Sequence, residues 1–309
     1  MSEPRAALAS RRSRLGAPAR VTGWAIHVPG AAPAALGPGA DGSEAVPAGR
    51  AHELLGRRGL LYKEPATRLA LCAVHRALGL PPGWRRSPGP VDAGTAVVAS
   101  SNLGNVATVR KVVDALDRGG VREVSPLDAP NASSNVVAST VAIWFGFGGP
   151  NLMVCSGATA GLDGVALGSL LLASRRADRV VVVGAEPDDE VSAALHAARP
   201  AAGGAPLRAG AAAVVLEPAE AAAGAVLLSP VAPAAEPPPP GDAGLLVGPG
   251  GRVDLTATLG DTYGALGVLQ VAAAAALVAA RGEEVAVVCG DACDGWRVAT
   301  LRPAPGGPS

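Results

Sequence analysis

Two kinds of apolar run alternate along the chain. GTAVVASS (94–101) and DRVVVVGAE (178–186) are continuous rather than alternating, which predicts strands buried on both faces. RVTGWAIHV (20–28) and NLMVCS (151–156) predict two more strands. Between them apolar residues recur at helical spacing. Leu69, Cys72, Ala73 and Leu78 predict a helix over 66–78, and Pro81 breaks it. Further helices are predicted over 105–118, stopped by Gly119-Gly120, over 133–145, capped near Asn131 and Ser133, and over 160–174. Strands alternating with helices argue for an α/β layered fold.

The pattern thins after residue 199. AAAVVLEP (211–218) and GAVLLSPVA (224–232) predict strands, and PAAEPPPPGDAG (233–244) predicts a linker or surface loop. A strong helix is predicted over 261–280 with Asp261 as its N-cap. EVAVVCG (284–290) and WRVATLRP (296–303) predict a closing strand pair around the turn GDACDG. The chain divides into a disordered leader (1–19), a first half (20–198), a shorter second half (199–303) and a tail (304–309).

Composition narrows the function classes. Of 309 residues, 49% are hydrophobic but only 3% aromatic, so Ala, Val and Leu must fill the core. Formal net charge is zero with no basic stripe, which argues against a nucleic-acid partner, and RRSR at 11–14 reads as a solvated tail. The leader lacks an apolar core segment, and the most apolar run, 271–280, is too short to cross a bilayer, so the protein is expected in the cytoplasm without a membrane partner. There are four cysteines, Cys72, Cys155, Cys289 and Cys293; Cys289 and Cys293 have no neighbouring His to complete a metal site and are expected to be buried free thiols, and no cofactor is expected. Asp188, Asp189 and Glu190 read as a solvated loop start, and Arg57, Arg58 and Lys63 as a small exposed basic patch.

The chemistry, if any, centres on VCSGATAGLDG (154–164). Cys155 and Ser156 are the candidate nucleophiles. Cys155 is expected inside the strand, and Ser156 has no base nearby in sequence; His196, the closest following histidine, is expected on a surface loop. GFGGP (146–150) is followed by a strand, which argues against a nucleotide cradle.

The segment GFGGPNLMVCSGATAGLDGVALGSLLLASRRADRVVVVGAEP (146–187) resembles the nucleophile region of β-ketoacyl synthases. SPLDAPNASSNVVASTVAIWFGFGGP (125–150), RPAAGGAPLRAGAAAVVLEPAEAAAGA (199–225) and LGDTYGALGVLQVAAAAALV (259–278) resemble further segments of that family, so the likeness covers about residues 20–303. It implies a thiolase-like α-β-α-β-α layered fold, here with a shortened second half. Family chemistry uses a cysteine at a strand-to-helix turn, activated by a helix N-terminus, and two histidines from the second half. Anchored on Gly161-Leu162-Asp163, the nucleophile position falls on Ala158, and the position of one histidine falls on Asp261, with Tyr263 just behind it. No histidine follows His196, and the family's C-terminal glycine-rich gate is replaced by CGDACDG (289–295).

The resemblance therefore implies a non-condensing, chain-length-factor-like subunit of bacterial type II polyketide or fatty-acyl biosynthesis. Its implied partner is an active ketosynthase in a heterodimer, or a second copy of itself, with contact through 151–156 and 133–145; an acyl carrier protein is a further implied partner. The alternative is an acyltransferase or thioesterase-like enzyme acting on acyl-carrier thioesters through Cys155 or Ser156.

Overall fold

The fold is described by a computed structural model for residues 18–32, 44–200, 204–219, 225–237 and 245–305. The expectations for most of the leader, for RRSR, for the end of the tail and for part of the 233–244 segment lie outside these residues.

The strands are β1 (Ala19–His27), β2 (Thr95–Ser100), β3 (Asn151–Val154), β4 (Arg179–Glu186), β5 (Gly210–Pro218), β6 (Val226–Leu228), β7 (Ala232–Ala234), β8 (Leu245–Val247), β9 (Val285–Asp291) and β10 (Gly295–Pro303). They hydrogen-bond in the order β3-β2-β4-β5-β1-β6-β10-β9-β8, with β7 attached to β10. β2 runs parallel to both β3 and β4. β5 is antiparallel to β4 and β1. The two halves join where Ala19, Arg20 and Val21 of β1 meet Leu228, Leu227 and Val226 of β6.

The helices are α1 (His52–Leu55), α2 (Pro65–Ala77), α3 (Val106–Gly119), α4 (Val136–Phe145), α5 (Ala160–Ala173), α6 (Glu190–Ala197), α7 (Leu255–Leu259) and α8 (Leu266–Arg281). Their ends follow local chemistry. Pro65 opens α2, where a missing N–H costs nothing. Gly146 and Gly282 end α4 and α8 in the left-handed conformation. Asp189 caps α6 by accepting from the amides of Val191 and Ser192, so the 188–190 cluster is a helix start.

The continuous apolar strands are explained by burial on two faces. Val97, Ala99, Val181, Val183, Ala213 and Val215 face α2 and α4 in one core. Ala96, Val98, Val180, Val182, Val214 and Leu216 face the other core with α5 and α8. Val285, Val287, Cys289, Ala299 and Leu301 of β9 and β10 close that second core from the far side. Helices, sheet, helices and sheet are thus stacked in thiolase-like layers, and α5 and α8 form the middle layer. In the second half, the loop around Gly248 and Gly251 lies against Val288 and Leu246.

Every residue of α8 from Leu266 to Val278 is buried. Its alanines let two sheets approach it closely, and each fully buried Val or Leu contributes roughly 1.5–3 kcal/mol over exposure. The run 271–280 belongs to a longer helical stretch, Tyr263–Arg281, that is long and apolar enough to cross a membrane; 83% of its most apolar window is buried inside the protein. Length therefore does not set it apart from a spanning helix, as the shorter run suggested, whereas burial between sheets does.

Two further expectations are corrected. The strand over 224–232 is two short strands, because Ser229 and Pro230 interrupt it. The helix over 261–280 starts at Leu266 after a 3-10 turn, Tyr263–Ala265, and Ala265, not Asp261, is its N-cap. β5, which follows residue 198 in the chain, lies between β4 and β1 in the sheet.

Candidate functional site

β3 ends at Val154, and Cys155 and Ser156 follow it outside the strand. A 3-10 turn, Gly157–Thr159, then leads straight into α5. Opposite it lies the second 3-10 turn, Tyr263–Ala265, which leads into α8. Both turns are tied to one buried group. Glu186, at the end of β4, accepts from the Ser101 hydroxyl (2.9 Å) and from the amides of Asn102 (2.6 Å), Leu103 (3.0 Å) and Gly264 (3.2 Å). Asn102 in turn accepts from the Gly157 amide (3.1 Å) and donates to the Gly157 carbonyl (2.9 Å). Burial pushes the Glu186 carboxyl up to about 7, against the pull of these donors.

Between the turns is a cavity of about 310 Å³ whose lining includes Ala158, Asp254, Asp261, Tyr263, Leu266 and Asp291. Ala158 presents a methyl group, which offers neither lone pair nor proton. Its carbonyl accepts from the Cys289 thiol (2.9 Å), and its amide donates to Asp294 Oδ2 (2.7 Å). That carboxylate comes from the β9–β10 turn. Asp291 Oδ1 shapes the turn by accepting from the amides of Cys293 (2.9 Å) and Asp294 (2.8 Å).

Asp261 does not cap α8. Its Oδ1 accepts from the Tyr263 amide (2.7 Å), and its Oδ2 pairs with His196 Nε2 (2.8 Å). His196 is buried on α6, not on a surface loop; its ring also meets the Tyr263 ring edge-on at 5.7 Å. Arg199, just beyond α6, lies 3.6 Å over the Tyr263 ring and pairs with Asp291 (2.5 Å), with Asp261 and Asp294 each at 3.8 Å. One guanidinium thus faces three carboxylates. Sequence reasoning missed Arg199, Asp291 and Asp294 as site residues. The only signal was the pair of aspartates three apart in DACD.

The two candidate nucleophiles are not activated. Cys155 is exposed rather than buried in the strand, because β3 stops one residue earlier. Partial burial of its thiol, together with the Glu186 charge, raises its pKa, opposite to what thiolate chemistry requires. The Ser156 hydroxyl donates to Asp163 Oδ2 (2.7 Å), which the Thr159 hydroxyl shares (2.7 Å) while Arg297 holds Oδ1 (2.7 Å). A carboxylate committed to three donors orients Ser156 but gains nothing by taking its proton. Among the remaining cysteines Cys72 and Cys289 are buried and Cys293, like Cys155, is exposed, which corrects the expectation of a buried pair at 289 and 293.

Elsewhere, the glycines of GFGGP allow close packing: a Cβ at Gly149 would lie 2.6 Å from the Thr95 carbonyl oxygen. Arg57 and Arg58 are exposed, and Lys63 donates to the Thr140 hydroxyl (3.3 Å). Arg57 borders a cavity of about 190 Å³ with His52 and Arg68. A larger apolar cavity, about 690 Å³, lies between α3 and α6, lined by Val106, Val109, Val113, Val191 and Leu195 among others.

The sequence matches the family model of the β-ketoacyl synthase N-terminal domain over residues 56–228, a span that includes β5. Over 90 residues it is 30% identical to the 3-oxoacyl-[acyl-carrier-protein] synthase 2 of Coxiella burnetii, covering 29% of this chain and 22% of that protein. It is 31% identical, over the same shares, to the enzyme of that name from Vibrio cholerae. The matched part is thus under a quarter of these relatives' length. Among solved structures, the ishigamide ketosynthase/chain length factor superposes with a TM-score of 0.66 at 22% identity, covering 94% of this chain and all of that one. A type II polyketide synthase acyl-carrier protein in complex with its ketosynthase gives 0.67 at 14% identity, over 94% and 99% of the two chains. At these identities the two superpositions establish the fold.

Proposed function

Because the chain belongs to the β-ketoacyl synthase family, we propose that it is a non-condensing subunit that completes a dimer with an active ketosynthase in bacterial polyketide or fatty-acyl biosynthesis. The observation that carries this reading is the occupancy of the nucleophile turn. A methyl group stands at residue 158, and the adjacent amide, which would otherwise be free to receive a developing oxyanion, is committed to Asp294. Where a histidine would donate to the substrate, Asp261 holds a carboxylate, whose charge opposes the negative charge that condensation develops.

The partner role draws on two surfaces. β3 is the terminal strand of the sheet order, so one of its edges is unpaired among the described residues, and Ile143 on the neighbouring α4 is 79% exposed. A ketosynthase that adds its own strand and apolar face there would satisfy both. The apolar cavity between α3 and α6 supports a share in shaping the space for the partner's growing acyl chain. Exposed Arg57 and Arg58 suit an acidic carrier protein.

The test is co-expression with an active polyketide-type ketosynthase, then incubation with an acyl-carrier thioester and intact-mass measurement. An equimolar complex is expected, with no acyl mass on this chain, and Ile143→Asp should abolish co-purification. An acyl adduct lost in Cys155→Ala or Ser156→Ala would instead establish the acyltransferase or thioesterase-like reading.

A further inference from the structure

We propose that Asp294 is a second block on the nucleophile position, independent of the missing sulfur, so that restoring cysteine at residue 158 does not by itself restore a reactive thiolate. The inference deepens the non-condensing reading above and rests on it.

A thiol placed at residue 158 would sit within a 3-10 turn continuous with the fourteen-residue helix α5. The positive end of that helix favours a thiolate. Asp294 works against it in two ways. Its carboxylate takes the residue 158 amide at 2.7 Å, the N–H best placed to stabilise charge there. It also brings a full negative charge to the spot where the helix offers about half a positive one. The surroundings do not cancel that charge. Arg199 is spent at 2.5 Å on Asp291 and stands 3.8 Å from both Asp261 and Asp294. His196 is bonded to Asp261, while the nearby Tyr263 hydroxyl and Cys289 thiol bring no positive charge; Asp163 is held by Arg297. The turn is also firmly built. Asp291 fixes its backbone through two amides and holds one guanidinium, which places Asp294 beside residue 158.

The experiment uses the full chain with the exposed Cys155 and Cys293 replaced by alanine, and compares Ala158→Cys with Ala158→Cys/Asp294→Asn. Asparagine keeps an oxygen to accept the amide and removes only the charge. Each is treated with iodoacetamide across a pH series. The thiolate displaces iodide from the iodomethyl carbon, forming one C–S bond, and the thiol proton goes to solvent. Peptide mass spectrometry reads residue 158. The expected result is an alkylation midpoint for Ala158→Cys above the ordinary cysteine range of about 8.5, and a downward shift with asparagine, giving about tenfold faster labelling near neutral pH. Added salt should narrow the gap between the two proteins. Ala158→Cys/Asp294→Ser checks the result without an amide side chain, and circular dichroism verifies each fold. Equal midpoints and rates in the single and double variants would overturn the proposal. Co-purification with the ketosynthase is unaffected by Asp294→Asn on this view, so loss of complex formation tests the partner reading separately.

Discussion

Replacing Gly161 with alanine is expected to cost about 3 kcal/mol or more of unfolding free energy, the upper end for inserting atoms into a packed core. Gly161 is where α5 crosses α8. A Cβ there would lie 2.6 Å from the amide nitrogen of Gly267, 2.7 Å from its Cα and 2.7 Å from the amide nitrogen of Val268. All three are backbone atoms of a helix fixed between two sheets, so no rotamer change relieves the contact. The relation is reciprocal, since a Cβ at Gly267 would lie 2.6 Å from the amide nitrogen of Leu162. Gly164, one turn on, is the control. A Cβ there would meet only side chains, none nearer than 3.6 Å, and alanine should gain up to about 1 kcal/mol of helix propensity. Urea denaturation of the two variants separates the effects. A Gly161→Ala protein as stable as the parent would show that the helices part more easily than this crossing allows.

The second large effect is at Glu186. Glu186→Ala would strand the amides of Asn102, Leu103 and Gly264 and the Ser101 hydroxyl in the interior, a loss of about 3–5 kcal/mol. The same residue makes stability depend on pH. Its carboxyl titrates near 7 when folded, against an ordinary value of 4.5. Between those values the folded protein holds a proton that the unfolded chain has released. The contribution is therefore full below about 4.5, falls as pH rises, and is gone above about 7, a swing of about 3 kcal/mol. His27 acts in the opposite direction. Burial lowers its pKa to about 4, so its contribution rises with pH until the unfolded value of 6.5 is passed. The two slopes largely cancel, and the clean measurement is the difference between parent and Glu186→Gln from pH 5 to pH 8. The parent should lose stability relative to the variant up to about pH 7; a relative gain over that interval would refute the assignment.

Much of the first half was legible because its elements carry local signals. β2 and β4 are uninterrupted apolar runs since both of their faces are buried, and α4 ends where Gly146 takes a positive φ. The small-residue turn after β3 and the helix that follows it were legible too. What fills the site was not. Ala158 and Asp294 are 136 residues apart, and Arg199 and Asp291 are 92 apart. No periodicity reports a pairing made by sheet topology. Asp261 read as a cap because capping is what an isolated aspartate before an apolar helix does; its real partner, His196, lies 65 residues away. The placement of β5 between β4 and β1 was hidden for the same reason, since an apolar strand does not say which neighbours it has.

The depth at which α8 is buried bears on how the protein is made. Its far side is covered by β9 and β10, which follow it in the chain. A ribosome therefore delivers a long greasy helix into the cell before the strands that will hide it exist. During that interval the nascent chain presents the features that chaperones and membrane-insertion machinery recognise. A stop codon just after Arg281 should then yield aggregates rather than a smaller folded protein, however well the first sheet has already formed.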